Sequence, residues 1–250
     1  MKNLTSKRAD EKLNALCDGK AVIELIYVTG DTHIPIDIAK LNTKNFPDGK
    51  NLNKDDFVII CGDFGGVWNG GSEDKYWLKW LHGKNFTTLF VDGNHENHHL
   101  LSEYPVEDFC GGKIHRINDS VYHLMRGEVY VIDGSKIFTM GGASSHDRQY
   151  RKENISWWAE ELPSNEEYDN AVRNLTAHDW SVDYIFSHCC PDSIQYRLKS
   201  SYAQDGLTYF FEKVIKADCA YNRWYFGHYH EDIEVDEKHI CVYQRVIKLD

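Results

Sequence analysis

The stretch Leu89-Phe90-Val91-Asp92-Gly93-Asn94-His95-Glu96 joins a short apolar run to a glycine turn that carries three polar side chains. If the run is a buried strand, the amide, imidazole and carboxylate groups emerge at its carboxyl end, where open α/β sheets place their ligands. A single strand that ends in Gly-Asn is an ordinary turn. The stretch therefore gains meaning only if other strands of the chain end in the same way.

Four other stretches repeat this arrangement. Each is an apolar run that stops at glycine or serine and then presents aspartate or histidine, and they occupy residues 26–33, 58–63, 184–188 and 224–230. Five such strand ends predict a shared site built from carboxylate, imidazole and amide groups. We take this recurrence as the feature around which the chain is organised.

Strand and helix patterns alternate over the first hundred residues. Strands are predicted at residues 21–28, 57–61 and 87–91, with a helix at residues 73–82, and this rhythm is typical of parallel βα units. Apolar side chains at helical spacing in residues 5–18 predict a lead-in helix within residues 1–20.

The middle of the chain changes to an antiparallel pattern. Residues 129–132 and 136–140 flank Asp133-Gly134 and predict a hairpin, with a strand at residues 121–124 beside it. The remaining predicted elements are a helix opened by the capping box at Ser164 and running to about residue 177, strands at residues 184–186 and 223–226, a helix at residues 206–217, and a hairpin within residues 233–246. The chain shows no repeat or interdomain linker, so residues 1–250 are predicted to form a single domain.

The composition limits the partners of this protein. A chain of 250 residues with 42% apolar residues fits one large α/β domain. A net charge of −11 disfavours a long nucleic acid as ligand, because such proteins usually present a basic face. The charge does not argue against a small phosphorylated substrate, because bound divalent cations reverse the local field.

The cysteines and the hydropathy predict a cytoplasmic location. Seven cysteines form no Cys-x-x-Cys pair, and the first eight residues are polar, without the apolar core of a signal peptide. No apolar run approaches the length of a membrane span, so no membrane contact is expected.

The polar groups at the strand ends suit a metal site. Carboxylate, imidazole and amide oxygen ligands without thiolate favour Mn²⁺, Fe or Zn²⁺ over a structural zinc. Asp31 and His33 are two residues apart, as are His228 and His230, so each pair can point to one side of an extended chain. A pair of metals about 3.5–4 Å apart needs a shared ligand, and a carboxylate is the natural bridge.

The five motifs resemble those of the calcineurin-like metallophosphoesterases and occur in the same order between residues 30 and 230. They are Gly30-Asp31-Thr32-His33, Gly62-Asp63, Gly93-Asn94-His95-Glu96, His188 and Gly227-His228-Tyr229-His230. The resemblance implies an α/β fold, the four-layer α/β/β/α sandwich in which two mixed β-sheets are flanked by helices. It also implies two divalent metal ions, with Mn²⁺ as the first choice and Fe or Zn²⁺ as alternatives.

The resemblance also implies a role for each site residue. The first metal would be bound by Asp31, His33, Asp63 and His230. The second would be bound by Asp63 as the bridge, Asn94, His188 and His228. His95 would face the phosphate instead of a metal. One departure is Ile34, which follows His33 where many members carry glycine, and which could narrow the approach to the site.

The implied activity is hydrolysis of a phosphoester by a metal-activated hydroxide. The expected substrate is a small phosphomonoester, a nucleotide or a cyclic nucleotide. Protein Ser/Thr phosphatase activity is an alternative, but those members usually follow the second motif with Asp-Arg-Gly, which supplies a phosphate-binding arginine. Here Asp63 is followed by Phe64-Gly65-Gly66-Val67-Trp68, with no arginine. The other alternative is a non-catalytic scaffold on the same fold, although such proteins typically lose ligands or the catalytic histidine.

Three further residues are candidate substrate contacts. Arg148 and Arg151 lie in a polar loop, and guanidinium groups suit phosphate. His98 follows the third motif. A solvated loop and the surface of a helix start are the ordinary alternatives for these residues. For Trp68, Trp157 and Trp158 packing beneath long loops is the ordinary expectation, and stacking on a base is the alternative.

Overall fold

Two mixed β-sheets form the centre of the computed structural model, which describes residues 24–250. The lead-in helix predicted within residues 1–20 lies outside the described residues. The strands are β1 Ile26–Thr29, β2 Phe57–Cys61, β3 Thr87–Val91, β4 Val106–Phe109, β5 Gly112–Asn118, β6 Val121–Leu124, β7 Glu128–Ile132, β8 Ser135–Met140, β9 Tyr184–Ser187, β10 Arg223–Phe226, β11 Ile233–Glu234, β12 His239–Cys241 and β13 Ile247–Lys248.

The helices lie between these strands and on the outside of the sheets. They are α1 Ser72–His82, α2 His98–Ser102, α3 Asn165–Ala177, α4 Asp192–Leu198, α5 Gly206–Phe210 and α6 Lys216–Asp218, with a π-helical turn at Phe211–Ile215 and 3₁₀ turns at Ile38–Leu41, Pro47–Lys50, Arg148–Tyr150 and Ala159–Glu161. None of the helices in residues 24–250 is long and apolar enough to cross a membrane.

The strand order brings the predicted motif strands side by side. The first sheet has the order β13-β1-β2-β3-β6-β5-β4, and the second has the order β11-β12-β10-β9-β8-β7. Strands β1, β2 and β3 are parallel neighbours, and β9 runs parallel to both β8 and β10. Because the carboxyl ends of parallel neighbours lie at one sheet edge, each sheet gathers its own motif ends.

Alternate residues of the motif strands face two different apolar clusters. Val28, Ile59 and Leu89 of the first sheet share a buried cluster with Phe186 and Tyr225 of the second, so the two sheets pack face to face. The opposite faces pack beneath helices, with α1 on the first sheet and α3 and α5 on the second. Burial on both faces explains why these strands read as continuous apolar runs. The predicted α/β/β/α sandwich is confirmed.

The strand predicted at residues 121–124 has a different partner from the one expected. It was expected beside the hairpin of β7 and β8, but β6 pairs parallel with β3 and antiparallel with β5 in the first sheet. The hairpin of β4 and β5, which the sequence pattern did not indicate, extends that sheet. A short buried strand carries no signal for the sheet that it joins, because either sheet buries it equally well.

Several local predictions are confirmed with their boundaries. Strands β2, β3 and β10 occupy the predicted residues. Helix α3 begins with the predicted capping box, in which the Ser164 hydroxyl accepts from the Glu167 amide at 3.3 Å and the Glu167 carboxylate accepts from the Ser164 amide at 2.7 Å. The expected hairpin in the tail is formed by β11 and β12, and β13 then pairs with β1 in the other sheet.

Candidate metal centre

The motif residues follow their strands within one to four positions. Asp31 follows β1, Asp63 follows β2 and Asn94 follows β3, all at the carboxyl edge of the first sheet. His188 follows β9 and His228 follows β10 at the corresponding edge of the second. Because the two sheets pack face to face, these five turns meet.

The first group of side chains is compact. One ligand atom from each of four residues lies within 4.8 Å of the other three, and the residues are Asp31, His33, Asp63 and His230. His33 Nε2 lies 3.1 Å from Asp63 Oδ2, and His230 Nε2 lies 3.1 Å from Asp31 Oδ2. These are the four residues that the resemblance assigns to the first metal.

The second group meets the first at Asp63. His188 Nε2 lies 3.2 Å from Asn94 Oδ1 and 3.2 Å from Asp63 Oδ1. The His228 ring packs edge-on against His188, with 4.9 Å between the ring centroids. Asp63 therefore presents Oδ2 to the first group and Oδ1 to the second, which is the arrangement that a bridging carboxylate needs.

The turns that carry these residues are conformationally unusual. His33, Asp63, His228 and His230 have φ angles of 34°, 43°, 68° and 54°. Non-glycine residues seldom adopt this left-handed region, and histidine and aspartate accept it at a cost. Left-handed backbone at four of the seven predicted ligands indicates that the turns are shaped for the site and not for local stability.

Two motif glycines allow backbone to touch the carboxylates. A Cβ atom at Gly93 would lie 2.1 Å from Asp63 Oδ1, and a Cβ atom at Gly227 would lie 2.1 Å from Asp31 Oδ1. Any larger residue at either position would displace a carboxylate. Each glycine also lets a backbone N–H reach the carboxylate beside it, since the His95 amide donates to Asp63 Oδ1 at 2.8 Å and the His228 amide donates to Asp31 Oδ1 at 3.0 Å.

The electrostatics of the cluster fit divalent cations. Burial alone would lower the pKa of His188, but the Asp63 and Asp31 carboxylates and the Cys61 carbonyl together outweigh it and raise that pKa to about 10. Burial, together with the nearby His188, lowers the pKa of His228 to about 3. One buried imidazolium thus balances carboxylates that would otherwise lie together uncompensated. Oxygen and nitrogen ligands with no thiolate suit Mn²⁺, Fe or Zn²⁺ in that place, and binding would release the proton.

Outer partners orient the histidine ligands. His33 Nδ1 lies 2.8 Å from Asp37 Oδ2, and His188 Nδ1 donates to the Cys61 carbonyl at 2.8 Å. Such partners fix the ring and the tautomer, so that the other nitrogen is available to a metal. Sequence reasoning missed Asp37, although its spacing of four residues from His33 was visible.

Ser145 orients Asn94 and was also missed by sequence reasoning. Its hydroxyl accepts from Asn94 Nδ2 at 3.1 Å, which directs Asn94 Oδ1 towards His188. The Ser145 amide donates to Glu161 Oε1 at 3.0 Å, and the fully buried Glu161 carboxylate is paired with Arg148. A chain of contacts from the loop after β8 therefore sets the direction of one predicted ligand.

The Ser145→Ala variant should bind the second metal about 10–100-fold more weakly, because loss of a partner that orients a ligand typically costs that much affinity. The first site should keep its affinity, since none of its four residues contacts Ser145. A two-site calorimetric titration with Mn²⁺ measures both constants. Ser144→Ala is the matched control, because the Ser144 hydroxyl accepts from Arg148 instead of Asn94. Equal second-site affinity in both variants would contradict the orienting role.

A cleft of about 210 Å³ opens beside the cluster, and His95 and Arg151 line it. The Arg151 guanidinium lies 3.1 Å from each ring nitrogen of His95. A neutral imidazole has one acceptor nitrogen, so at most one of these contacts is a hydrogen bond. Burial lowers the pKa of His95; the Asp63 carboxylate opposes this shift, and the Arg151 cation adds to it.

The three predicted substrate contacts occupy different places. Arg151 lines the 210 Å³ cleft and is held by Asp147, whose Oδ1 lies 2.7 Å from Arg151 Nε. Arg148 is turned to Glu161, and its guanidinium lies 5.2 Å from the Trp157 ring centroid. His98 lines a separate cleft of about 720 Å³, where burial lowers its pKa to about 4. Of the three, Arg151 alone lines the cleft beside the cluster.

The comparisons with known proteins match the chain to one family. The profile of the calcineurin-like phosphoesterase family matches residues 25–232. That span contains all the residues of the cluster, from Asp31 to His230, together with His95 and Arg151. None of the curated proteins compared with the chain matches it.

Proposed function

Because the chain belongs to the calcineurin-like phosphoesterase family, we propose that it hydrolyses a small phosphorylated substrate with the help of two divalent metal ions. Metal-dependent hydrolysis of phosphoesters is the activity of the family. The substrate class proposed is a phosphomonoester, a nucleotide or a cyclic nucleotide. The observation that carries the proposal is the pair of ligand groups that meet on the two oxygens of Asp63.

Asp63 is the ligand that the two metals would share. Asp31, His33 and His230 complete the first set, and Asn94, His188 and His228 complete the second. Two cations held in this way, Mn²⁺ by preference and Fe or Zn²⁺ as alternatives, would neutralise the phosphoryl oxygens and lower the pKa of water to about 7. The rest of the chemistry depends on side chains of the 210 Å³ cleft.

The reaction forms a bond from a water oxygen to phosphorus and breaks the bond from phosphorus to the ester oxygen, which takes up a proton. Arg151 is suited to bind the phosphoryl oxygens, because its planar guanidinium donates from two nitrogens at once. His95 is suited to donate to the departing oxygen. Both side chains line the same cleft and lie in contact at 3.1 Å, so a phosphoester that takes the place of this contact could bind both of them.

The chain gives no support to the two alternatives. Protein phosphatases of the family usually follow the second motif with Asp-Arg-Gly, but residues 64–68, which follow Asp63 here, contain no arginine. Phe64 is buried and stacked on Phe90 with 4.1 Å between ring centroids. The guanidinium of this site comes instead from Arg151, on the loop after β8. A scaffold that had lost activity would not be expected to keep His95 and every ligand in one cluster.

Turnover by metal-loaded protein tests the proposal. We expect Mn²⁺-loaded protein to hydrolyse at least one ester of a panel made of nitrophenyl phosphate, bis-nitrophenyl phosphate and cyclic nucleotides, and a chelator to abolish that turnover. A His99→Ala variant should turn over the same ester at the rate of the natural protein, because His99 is exposed and pairs with Glu160 away from the cluster. Protein that binds two metals but turns over none of these esters would instead be the scaffold.

A further inference from the structure

Two clefts meet at His95. The 210 Å³ cleft already described contains Arg151 and Asn94 on its wall. A second cleft of about 310 Å³ is lined by His33, Ile34, Ile36, Trp68, Glu73 and His95 among others, and is called the Trp68 cleft below. Within residues 24–250, His95 is the one residue that lines both. A molecule that extends from one cleft into the other therefore passes His95.

Trp68 lines this cleft, and its ring is held in place by packing. It packs edge-on against the buried Trp158, with 5.3 Å between ring centroids and 83° between the ring planes. The backbone is also held, since the Trp68 amide donates to Asp74 Oδ2 at 2.8 Å and its carbonyl accepts from Asn97 Nδ2 at 2.7 Å. The half-buried ring is thus placed before any ligand arrives, which reduces the entropic cost of binding.

The charges of the two clefts differ. Among the residues that the structure describes, no lysine or arginine lines the Trp68 cleft, whose acidic groups are Glu73 and Asp74. One oxygen of the Asp74 carboxylate, Oδ2, accepts from three successive backbone amides, whereas Glu73 is exposed. The cleft with Arg151 is also lined by Asp63 and Asp147, but Asp147 is paired with Arg151, and Asp63 is the residue that would hold the two cations. With those cations bound, a phosphoryl group is favoured in that cleft and disfavoured beside Glu73. The Trp68 cleft suits an uncharged group instead.

Ile34 supports the same assignment. This residue, which departs from the common glycine of the family, lines the Trp68 cleft and not the cleft with Arg151. With Trp68 it provides apolar surface, while Asn69 and Glu73 at the rim offer an amide and a carboxylate. Flat apolar surface edged by such groups is the combination that recognises nucleobases, by stacking and by hydrogen bonds to the base edge.

We propose that the Trp68 cleft binds the leaving group of the substrate and that this leaving group is a nucleoside, with its base stacked on Trp68. This inference rests on the proposed function, because it places the phosphoryl group in the cleft with Arg151. This placement explains why His95 lies between the clefts, because the ester oxygen that joins the phosphoryl group to the nucleoside would lie beside it. It also narrows the substrate to nucleotides with one phosphoryl group next to the nucleoside.

Two substrates with the same ester bond test the inference. Hydrolysis of adenosine 5′-monophosphate and of ribose 5-phosphate releases the same kind of primary alcohol. The base is present in the first compound and absent from the second. Loss of a base–aromatic stack lowers affinity by about 5–150-fold. We therefore expect the kcat/KM of Mn²⁺-loaded protein to be higher for the nucleotide by a factor in that range. Equal kcat/KM values for the two would overturn the inference.

Variants of the residues that line the Trp68 cleft test whether the preference for the nucleotide arises there. Trp68→Leu should reduce the ratio of the two kcat/KM values to about one, Trp68→Phe should keep part of it, and Ile34→Gly should lower it with metal content intact. Trp80→Leu is the matched control, because Trp80 is a half-buried tryptophan of α1 that does not line the cleft. A ratio that stays unchanged in both Trp68→Phe and Ile34→Gly would overturn the assignment even if Trp68→Leu failed to fold.

The dissociation constants of the two compounds separate this inference from the proposed function. They are measured by calorimetry on metal-loaded protein under conditions without turnover. If no ester is hydrolysed but the nucleotide binds more tightly and Trp68→Leu removes the difference, hydrolysis fails as the function while the nucleoside cleft stands. If esters are hydrolysed and the two compounds bind equally, the nucleoside cleft fails alone.

Discussion

In the His95→Ala variant, hydrolysis of an alkyl phosphate should slow by about 10²–10⁴-fold, whereas hydrolysis of a nitrophenyl ester should slow far less. An alkoxide is a poor leaving group and needs a proton as the bond to phosphorus breaks. A nitrophenolate is stable without one. The difference between the two substrates therefore isolates proton donation from every effect that both esters share. Steady-state kinetics on metal-loaded protein measure it.

The variant is well suited to this test because it leaves the ligand geometry in place. Alanine keeps the backbone N–H of residue 95, which donates to Asp63 Oδ1 at 2.8 Å. Two metals should therefore remain bound. Equal slowing of both esters would mean that His95 stabilises charge on the phosphoryl group instead of donating the proton. Loss of metal would mean that His95 supports a ligand, and the catalytic assignment would fail.

The sequence predicted the strand ends well because their physical signal is local. A strand buried on both faces must be a continuous apolar run, and a polar group at its end stands out against that run. Strands β2 and β3 were therefore placed residue by residue, and the turns at Asp63 and Asn94 with them. The four-layer fold could be predicted because five such ends agreed with one family.

The sequence could not predict contacts that depend on how distant loops meet. Ser145 contacts Asn94 across 51 residues and Arg151 contacts His95 across 56, and no spacing rule connects such pairs. Arg148 and Arg151 looked equivalent as two arginines of one loop. Only the three-dimensional arrangement separates them, since one is paired with the buried Glu161 and the other lines the cleft. The partner strands of β6 were missed because a short buried strand does not indicate which sheet it joins.

The Asp63→Asn variant should lose affinity at both metal sites together, by more than the roughly 10–100-fold that loss of an outer partner costs. Asp63 presents one oxygen to His33 and the other to His188. An amide has one acceptor oxygen and no charge, so it cannot serve two cations. Asparagine tolerates left-handed backbone as readily as aspartate, so the turn at φ 43° should survive the change.

Asn94→Ala provides the contrast for this variant. Asn94 belongs to the second ligand group alone, where its Oδ1 lies 3.2 Å from His188 Nε2. Its loss should mainly empty the second site and leave the four residues of the first in place. A general loss of folding would lower the metal affinity of both sites in either variant. Thermal unfolding of each protein without added metal therefore serves as the check.

The number of Mn²⁺ ions bound per chain tests the central claim most directly. Elemental analysis after equilibration with Mn²⁺ and gel filtration should give two ions for the natural protein, one for Asn94→Ala and none for Asp63→Asn. That pattern is the one expected of two metals that share the Asp63 carboxylate. Two ions retained by a folded Asp63→Asn variant would contradict the bridge, and with it the dinuclear centre on which the proposed hydrolysis depends.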